Sequence, residues 1–390
     1  MRVLLLSPSF EDRGGVASFC RILMKHASPE FEIDHLEIGN RPGNRNPVRR
    51  LSFLLGDAAR LRRSLKSNSY DLVHINPSME ILSLLRDSFY LFYVSRIGRA
   101  RSLVLFHGWN ERLAGRLLAV PAFRSGFRAV YAKAGMVLAL CRSYKSLLER
   151  LGLDPGRVAV ATTMFEAGGD SATPKAVKPQ RVRILFMARL WKSKGVYIAL
   201  DVARLLVSKG MTNFRLTIAG DGPELEGVRK RRDSLGLKEH VLVPGYLEGD
   251  QKREALENSD VFLYPTFYGE GCPVVILEAM GFGLAIVSTP VAAIPEIVEN
   301  GTNGFLVNSR EAEDFVLPVE RLMADPDLLE AIRSSNRKKA LENYEAAVVT
   351  AKFESIYLSV IRDLPDEGRK KHNQEDPREN GGATGRGLGK

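Results

Sequence analysis

The sequence predicts an α/β protein built from two parallel sheets, each covered by helices on both faces. Three observations carry this. Apolar runs of strand length, among them Arg2 to Leu6, Leu103 to Phe106, Arg183 to Met187 and Val261 to Leu263, alternate along the chain with segments of helical spacing. The runs are continuously apolar, as strands buried on both faces require. The chain has 390 residues, enough for two domains, and residues 167–180, rich in glycine, proline and polar side chains without apolar period, split the alternation in two. The expected organisation is one domain over 1–166, a linker over 167–180, a second domain over 181–343, a helix over 344–362 and a disordered tail over 363–390.

Composition narrows the class. Hydrophobic residues make up 45% and charged residues 26%, the balance of a soluble globular chain. The apolar run after Met1 stops at Ser7-Pro8-Ser9, too short for a secretory signal, and the longest apolar stretch, Ile81 to Ile97, is broken by Arg86 and Asp87. Cys20, Cys141 and Cys272 are scattered without metal-ligand spacing and suit a reducing compartment, so a cytoplasmic protein is expected. The net charge of +10 is uneven: residues 1–180 carry +12 and residues 181–390 carry −2. A basic half beside a near-neutral one suits either a merely soluble surface or a face turned toward anionic lipid, giving peripheral attachment at the inner face of a membrane. A nucleic-acid partner is not expected, because no recognisable binding motif accompanies the charge.

In chain order, Arg2 to Leu6 is a strand, Ser7 to Gly15 a loop ending in Gly14-Gly15, and Val16 to Ala27 a helix. Without a G-x-G-x-x-G run a dehydrogenase is disfavoured, and the glycine pair serves either a turn needing positive φ or close approach of a ligand. Phe31 to Ile38 is a strand and Leu51 to Leu65 a helix. Around that helix Arg41, Arg45, Arg49, Arg50, Arg60, Arg62, Arg63 and Lys66 form a basic group that suits the helix C-terminus in part and an anionic acceptor or membrane in part. Tyr70 to Ile75 is a strand. Met79 to Ile97, with Phe89, Tyr90, Phe92 and Tyr93 followed by Arg96, Arg99 and Arg101, reads as a core helix or as a membrane-contact helix. Leu103 to Phe106 leads into His107, which is placed either on the ligand-binding rim of the sheet or in the core. Met136 to Leu140 and Val158 to Thr162 are further strands flanking a helix over Ser143 to Leu151.

The second half repeats the pattern. Arg183 to Met187 is a strand whose exit carries Arg189 and Lys194, a planar fork and a point charge suited to a diphosphate. Phe214 to Ala219 enters the turn Gly220-Asp221-Gly222-Pro223, and Val241 to Val243 leads into Pro244-Gly245-Tyr246. The stretch Tyr264 to Gly281 then reads strand, loop, helix, with Pro273 at the first helical position. Gly269 and Gly271 would let a ligand approach the backbone at a helix N-terminus, and Glu270 and Glu278 bracket it with carboxylates that accept from hydroxyls. A phosphate between hydroxyls describes a nucleotide sugar. Ala285 to Ser288 is a strand, and Ala312 to Ala324 and Pro326 to Asn343 are helices.

Gly269-Glu270-Gly271-Cys272-Pro273, running on to Leu277-Glu278-Ala279-Met280, resembles the E-x7-E segment of retaining glycosyltransferases of family 4. That resemblance implies the GT-B fold, two Rossmann-like domains with a cleft between them, and a terminal helix returning to the first domain. It also implies roles: base near Gly245 and Tyr246, ribose on Glu278, diphosphate on Arg189, Lys194 and the backbone from Gly271 through Cys272, Pro273 and Val274, and sugar on Glu270 and His107. Gly14 and Gly15 would approach the donor or acceptor. The implied activity is metal-independent, retaining transfer of a sugar from a nucleotide sugar to a glycan or lipid-linked acceptor of the cell surface; an epimerase or a non-catalytic binder of the same fold is the alternative. No Asp-x-Asp motif for a metal is expected anywhere in the sequence, and no cofactor is expected. Ala292-Ala293 and Ala285 depart from the family's usual Gly-Gly and proline.

Overall fold

A computed structural model of the chain describes residues 1–12, 14–39, 47–97, 100–167, 181–269 and 271–362, with the backbone alone at 47–51 and 97. Glu270, Arg41, Arg45, Arg99, most of the expected linker and the expected tail lie outside the described residues, as do the side chains of Arg49 and Arg50.

The first lobe runs β1 (Arg2–Ser7), α1 (Gly15–His26), β2 (Glu32–Glu37), α2 (Pro47–Ser67), β3 (Leu72–Ile75), α3 (Ile81–Ile97), β4 (Arg101–Phe106), α4 (Glu111–Ala119), α5 (Pro121–Tyr131), β5 (Met136–Ala139), α6 (Arg142–Arg150) and β6 (Val158–Val160). Its six strands are all parallel, in the order β2-β1-β3-β4-β5-β6. The second lobe runs β7 (Val182–Met187), α7 (Val196–Ser208), β8 (Phe214–Ala219), α8 (Leu225–Ser234), β9 (Val241–Gly245), α9 (Gly249–Glu257), β10 (Val261–Tyr264), α10 (Val274–Gly281), β11 (Ala285–Ser288), α11 (Ile294–Ile297), β12 (Gly304–Leu306), α12 (Ala312–Ala324) and α13 (Pro326–Asn343). Its strands, again parallel, take the order β12-β11-β10-β7-β8-β9.

The two sheets follow from the apolar runs. Val3, Leu4, Leu5 and Leu6, like Leu103 to Phe106 and Val261 to Tyr264, are buried on both faces, which only helices on each side of a sheet allow. A buried ion pair fixes α13 beneath the second sheet: Asp260 accepts from Arg183 and from Arg333 Nη1 at 3.3 Å, and Arg333 Nε donates to Gly283 O at 3.1 Å. The last helix, α14 (Ala346–Arg362), lies on the first lobe. Phe353 meets Phe19 of α1, Tyr357 OH pairs with His74 Nδ1 at 2.8 Å, and Glu354 accepts from Ser28 N at 2.6 Å. Phe165 joins the lobes from the other direction, its ring occupying the space a side chain at Gly281 would need.

Element ends differ from the sequence expectation by a few residues. The segment expected as a helix from Met79 begins at Ile81; Leu84, Asp87, Tyr90, Leu91 and Val94 face the core, while Leu82, Leu85 and Phe89 face out. Helices α4, α5 and α9 are not among the elements expected from the sequence.

Candidate functional site

In a doubly wound sheet, ligands bind beyond the carboxyl ends of the strands where the strand order reverses. In the second lobe that point falls between β7 and β10, neighbours in the sheet with their helices on opposite faces. The loop leaving β7 carries Arg189 and Lys194, and the loop leaving β10 leads to Gly271 and α10.

These loops form one hydrogen-bonded unit. Phe267 N donates to Ser193 O at 2.9 Å, and Thr289 Oγ1 donates to Thr266 O. Gly195 has φ +81°, and a Cβ there would lie 2.1 Å from Pro265 O, so only glycine allows the β7 loop to seat against the β10 loop. The turn after β8 closes the other side, with Leu190 N donating to Asp221 O at 2.8 Å and Gly220 N to Gly245 O at 2.7 Å. Arg189 and Lys194 flank two aromatic rings: Arg189 lies 5.3 Å from the centre of Trp191, Trp191 lies 6.0 Å from Tyr268, and Lys194 Nζ lies 4.2 Å over Tyr268. Trp191 and Tyr268, which no motif in the sequence marks, thus hold both cations along one wall of the site.

Helix α10 starts beside that wall. Pro273 is its N-cap, with extended ψ of 109°, so it stands one residue before the first helical position expected for it. Among the described residues no side chain caps the helix, and its first turn has no acid, which leaves the N–H groups and positive dipole end for an external anion. Val274 is half-buried and Pro273 buried. Cys272 is buried as well, with Sγ 3.5 Å from Thr162 Oγ1 and its carbonyl accepting from Thr163 Oγ1 at 3.0 Å. Burial pushes the Cys272 thiol up, so it packs as a neutral group. Gly245, at φ +95°, ends β9, and Tyr246 beside it is exposed.

Glu278, one turn into α10, has two unlike oxygens. Its Oε1 accepts from Lys252 Nζ at 2.6 Å, whereas its Oε2 is buried without a hydrogen-bond partner among the described residues. A buried carboxylate oxygen with no donor is an acceptor prepared for an incoming hydroxyl. Lys252 lies on the polar helix α9, where the sequence offers no pattern to single it out.

Two expectations change. Gly269 and Gly271 were expected to open the backbone to a ligand, but the first lobe fills that space: a Cβ on Gly271 would sit 2.3 Å from His107 O and 2.8 Å from Leu140 Cδ1, and one on Gly269 would sit 3.1 Å from Trp109 O. The two lobes meet there backbone to backbone. His107, expected at an open rim, has a buried ring. Its Nε2 lies 2.8 Å from Asn76 Oδ1, and Asn76 Nδ2 donates to Leu6 O, so the His107 Nε2–H is the donor of the pair. Burial lowers the His107 pKa to about 3, leaving a neutral imidazole under Phe19. Gly14 and Gly15 cap and start α1 with no side-chain cap and no acid in the first turn. Gly14 has φ −102°, neither glycine falls in the left-handed region, and a Cβ on either would meet nothing within 4 Å. Neither turn geometry nor packing demands glycine at these positions. Contrary to expectation an Asp-x-Asp does occur, Asp325-Pro326-Asp327, but its first residue is structural: Asp325 Oδ1 caps α13 by accepting from Leu328 N at 2.9 Å.

Residues 171–339 match the family described as Glycosyl transferases group 1. The chain is 25% identical to the amylovoran biosynthesis glycosyltransferase AmsK of Erwinia amylovora over 63% of this chain and 61% of that protein. It is 24% identical to the phosphatidyl-myo-inositol mannosyltransferase of Mycobacterium leprae over 92% and 97%. The chain spans 61–65% of the length of AmsK and the colanic acid relatives named WcaL. Among solved structures, Anabaena HepE in complex with UDP and glucose superposes with a TM-score of 0.68 at 16% identity, covering 92% of this chain and all of that one. Sucrose-phosphate synthase from Thermosynechococcus elongatus gives 0.72 at 14% identity over 93% and 99%. At such identities these structures establish the fold, GT-B.

Proposed function

We propose that this chain, whose residues 171–339 belong to the group 1 glycosyltransferases and whose two sheets make a GT-B frame, transfers a sugar from a nucleotide sugar to a glycan or lipid-linked acceptor in cell-surface polysaccharide synthesis. The observation that carries this reading is the unit at the β7–β10 switch point. There two cations, an uncapped helix N-terminus and the free oxygen of Glu278 lie on loops bonded to one another.

Each part has a chemical task. A ribose hydroxyl donates to Glu278 Oε2, with Lys252 keeping the carboxylate charged and aimed. The base lies by Gly245 and Tyr246. The diphosphate takes Arg189, Lys194 and the N–H groups from Gly271 through Cys272 to Val274, with Pro273 turning the chain into the helix. Glu270 and the His107 segment hold the sugar, and Gly14 and Gly15 leave room beside α1 for donor or acceptor. In the reaction the bond from the anomeric carbon to the diphosphate oxygen breaks and its electron pair leaves with the phosphate. The acceptor oxygen forms the new bond on the retained face and releases its proton. Stabilising the departing charge is the main catalytic need, and Arg189, Lys194 and the α10 dipole meet it with groups fixed in advance.

The names of the mannosyltransferase and AmsK support a sugar-transfer role, and the UDP in HepE supports a nucleotide donor. A thermal-shift screen against nucleotide sugars, followed by assay of acceptor-dependent nucleoside diphosphate release, tests the reading. A donor that raises the melting temperature and is consumed only with acceptor supports it. Failure of every nucleotide sugar to bind overturns it, and release of a free altered sugar assigns an epimerase instead.

A further inference from the structure

We infer that the outward face of α3, with the corner between α4 and α5, is a docking surface for an anionic lipid bilayer. Isolated exposed apolar residues are ordinary, but a contiguous set is not. On α3 the exposed residues Ile81, Leu82, Leu85, Phe89 and Phe92 recur at helical spacing, opposite the face that buries Leu84, Leu91 and Val94. Leu82 is 64% exposed and Leu85 66%. A helix apolar on both faces belongs between two apolar media, and only one of them is the core. Phe123 on α5, packed beside α3, is 57% exposed and extends the patch.

Charge identifies the occupant. Arg96 Cζ lies 5.0 Å and Lys133 Nζ 4.5 Å from the ring centre of Phe92, so two cations border the apolar stripe, and Arg124 is exposed next to Phe123. The single carboxylate within α3, Asp87, is buried and bound to Arg86. Glu80 and Glu111 stand at the far end, where Glu80 Oε1 accepts from Asn110 Nδ2 at 3.1 Å. An apolar stripe edged by cations matches a layer of acyl chains below anionic headgroups. Among the described residues no helix is long and apolar enough to cross a membrane, so the contact is one of lying on the surface.

The position of the stripe gives it a purpose. Its first turn follows Ser78 and Met79, and Met79 N donates to Gly108 O at 2.8 Å, beside the His107 and Trp109 carbonyls that face Gly271 and Gly269. The patch therefore begins at the rim of the cleft, and docking would present that rim to an acceptor carried in the bilayer. That purpose rests on the proposed transfer reaction; the docking itself does not, and is measured without donor.

The test is co-sedimentation of the full chain with vesicles of phosphatidylcholine, alone or with about one-third phosphatidylglycerol, at ~0.1 M salt. Binding to the anionic vesicles that weakens with added salt is expected, and a Leu85→Glu/Phe89→Glu variant should lose about tenfold or more of it. Arg96→Gln/Lys133→Gln should remove most of the preference for anionic over neutral vesicles. Both variants alter exposed side chains, and circular dichroism checks their folding. Should the first fail to fold, Phe89→Trp keeps the test open: its emission, taken as the difference from the native chain, should shift to the blue when vesicles are added. Absence of vesicle binding by the native chain, unchanged binding by the glutamate variant, or an unshifted difference emission in Phe89→Trp overturns the inference. Self-association that the glutamate variant abolishes, without vesicle binding, gives the face to a second copy and also overturns it.

Discussion

The contact between lobes at Gly271 gives the most direct test of how the cleft is set. In Gly271→Ala the new Cβ lies 2.3 Å from the carbonyl oxygen of His107, where an unstrained carbon–oxygen contact is about 3.3 Å. Roughly 1 Å must therefore open, and the opposing atom is backbone on a loop tied at Pro77 O and Asn76, unable to rotate aside. Overpacking of this kind costs about 1–3 kcal/mol. Gly271 lies outside the left-handed region, so alanine adds no backbone strain and the penalty falls on the approach of one lobe to the other. A donor bridging both lobes should then bind about 5- to 150-fold more weakly. Titration calorimetry with the donor identified by screening reads the affinity, and small-angle scattering reads the separation of the lobes. Gly14→Ala is the control, since its Cβ meets nothing within 4 Å and its φ is −102°: stability and scattering should stay unchanged, with activity alone affected if a substrate approaches there. Native donor affinity together with native scattering in Gly271→Ala would refute the view that this contact sets the cleft.

Other predictions concern individual groups. Arg189→Ala or Lys194→Ala should lower turnover by about 10²- to 10³-fold with the unfolding transition little changed, since neither side chain belongs to the core; near-normal turnover in either removes its assignment. Lys252→Met leaves Glu278 without its ion-pair partner, costing about 1–3 kcal/mol, and should raise the donor KM about tenfold with kcat less affected. Equal loss in kcat would place Lys252 in the chemical step instead. Ala292, the non-glycine residue with positive φ among the described residues, at +50°, should gain about 0.5–1 kcal/mol on substitution by glycine, read as a higher melting temperature. On the acid side, burial lowers His107 to about 3, and burial followed by the neighbouring His107 lowers His74 to about 3. The unfolded chain takes up these protons below about pH 6.5 and the folded chain does not until about pH 3, so stability should be level above that window and fall through it by about 1.4 kcal/mol per pH unit for each histidine. Denaturant midpoints across the window check the slope, and His74→Asn should remove its share.

Much of this architecture was readable in the chain because it depends on local rules. The apolar runs at Leu4, Leu105, Phe186 and Leu263 became central strands, since a run with no polar alternation has no other place than a sheet covered twice. Pro273 and the glycines around it marked a helix start to within one residue. The charge pair Arg189 and Lys194 fell at the exit of β7, as strand–loop–helix spacing required. Lys252 gave no signal, because a lysine on a charged helix looks the same whether it faces solvent or a carboxylate. Trp191, Tyr268 and Asn76 give no signal for a similar reason: their roles are relations to residues distant in sequence.

The sequence by itself determined the two sheets, the parallel sense of their strands and the loops that carry charge, since burial periodicity and turn chemistry act within a few residues. Which empty space each glycine protects was decided only by the fold. Gly271 looked like an opening for a ligand and is filled by the His107 carbonyl, while Gly14 and Gly15, readable as a tight turn, stand in open space. The tertiary structure likewise decided that the outer face of α3 is uncovered. The physical reason is common to all three: a side chain or its absence is encoded locally, but what stands opposite it depends on how 3.6-residue helices and two sheets are laid against each other, which no local pattern records.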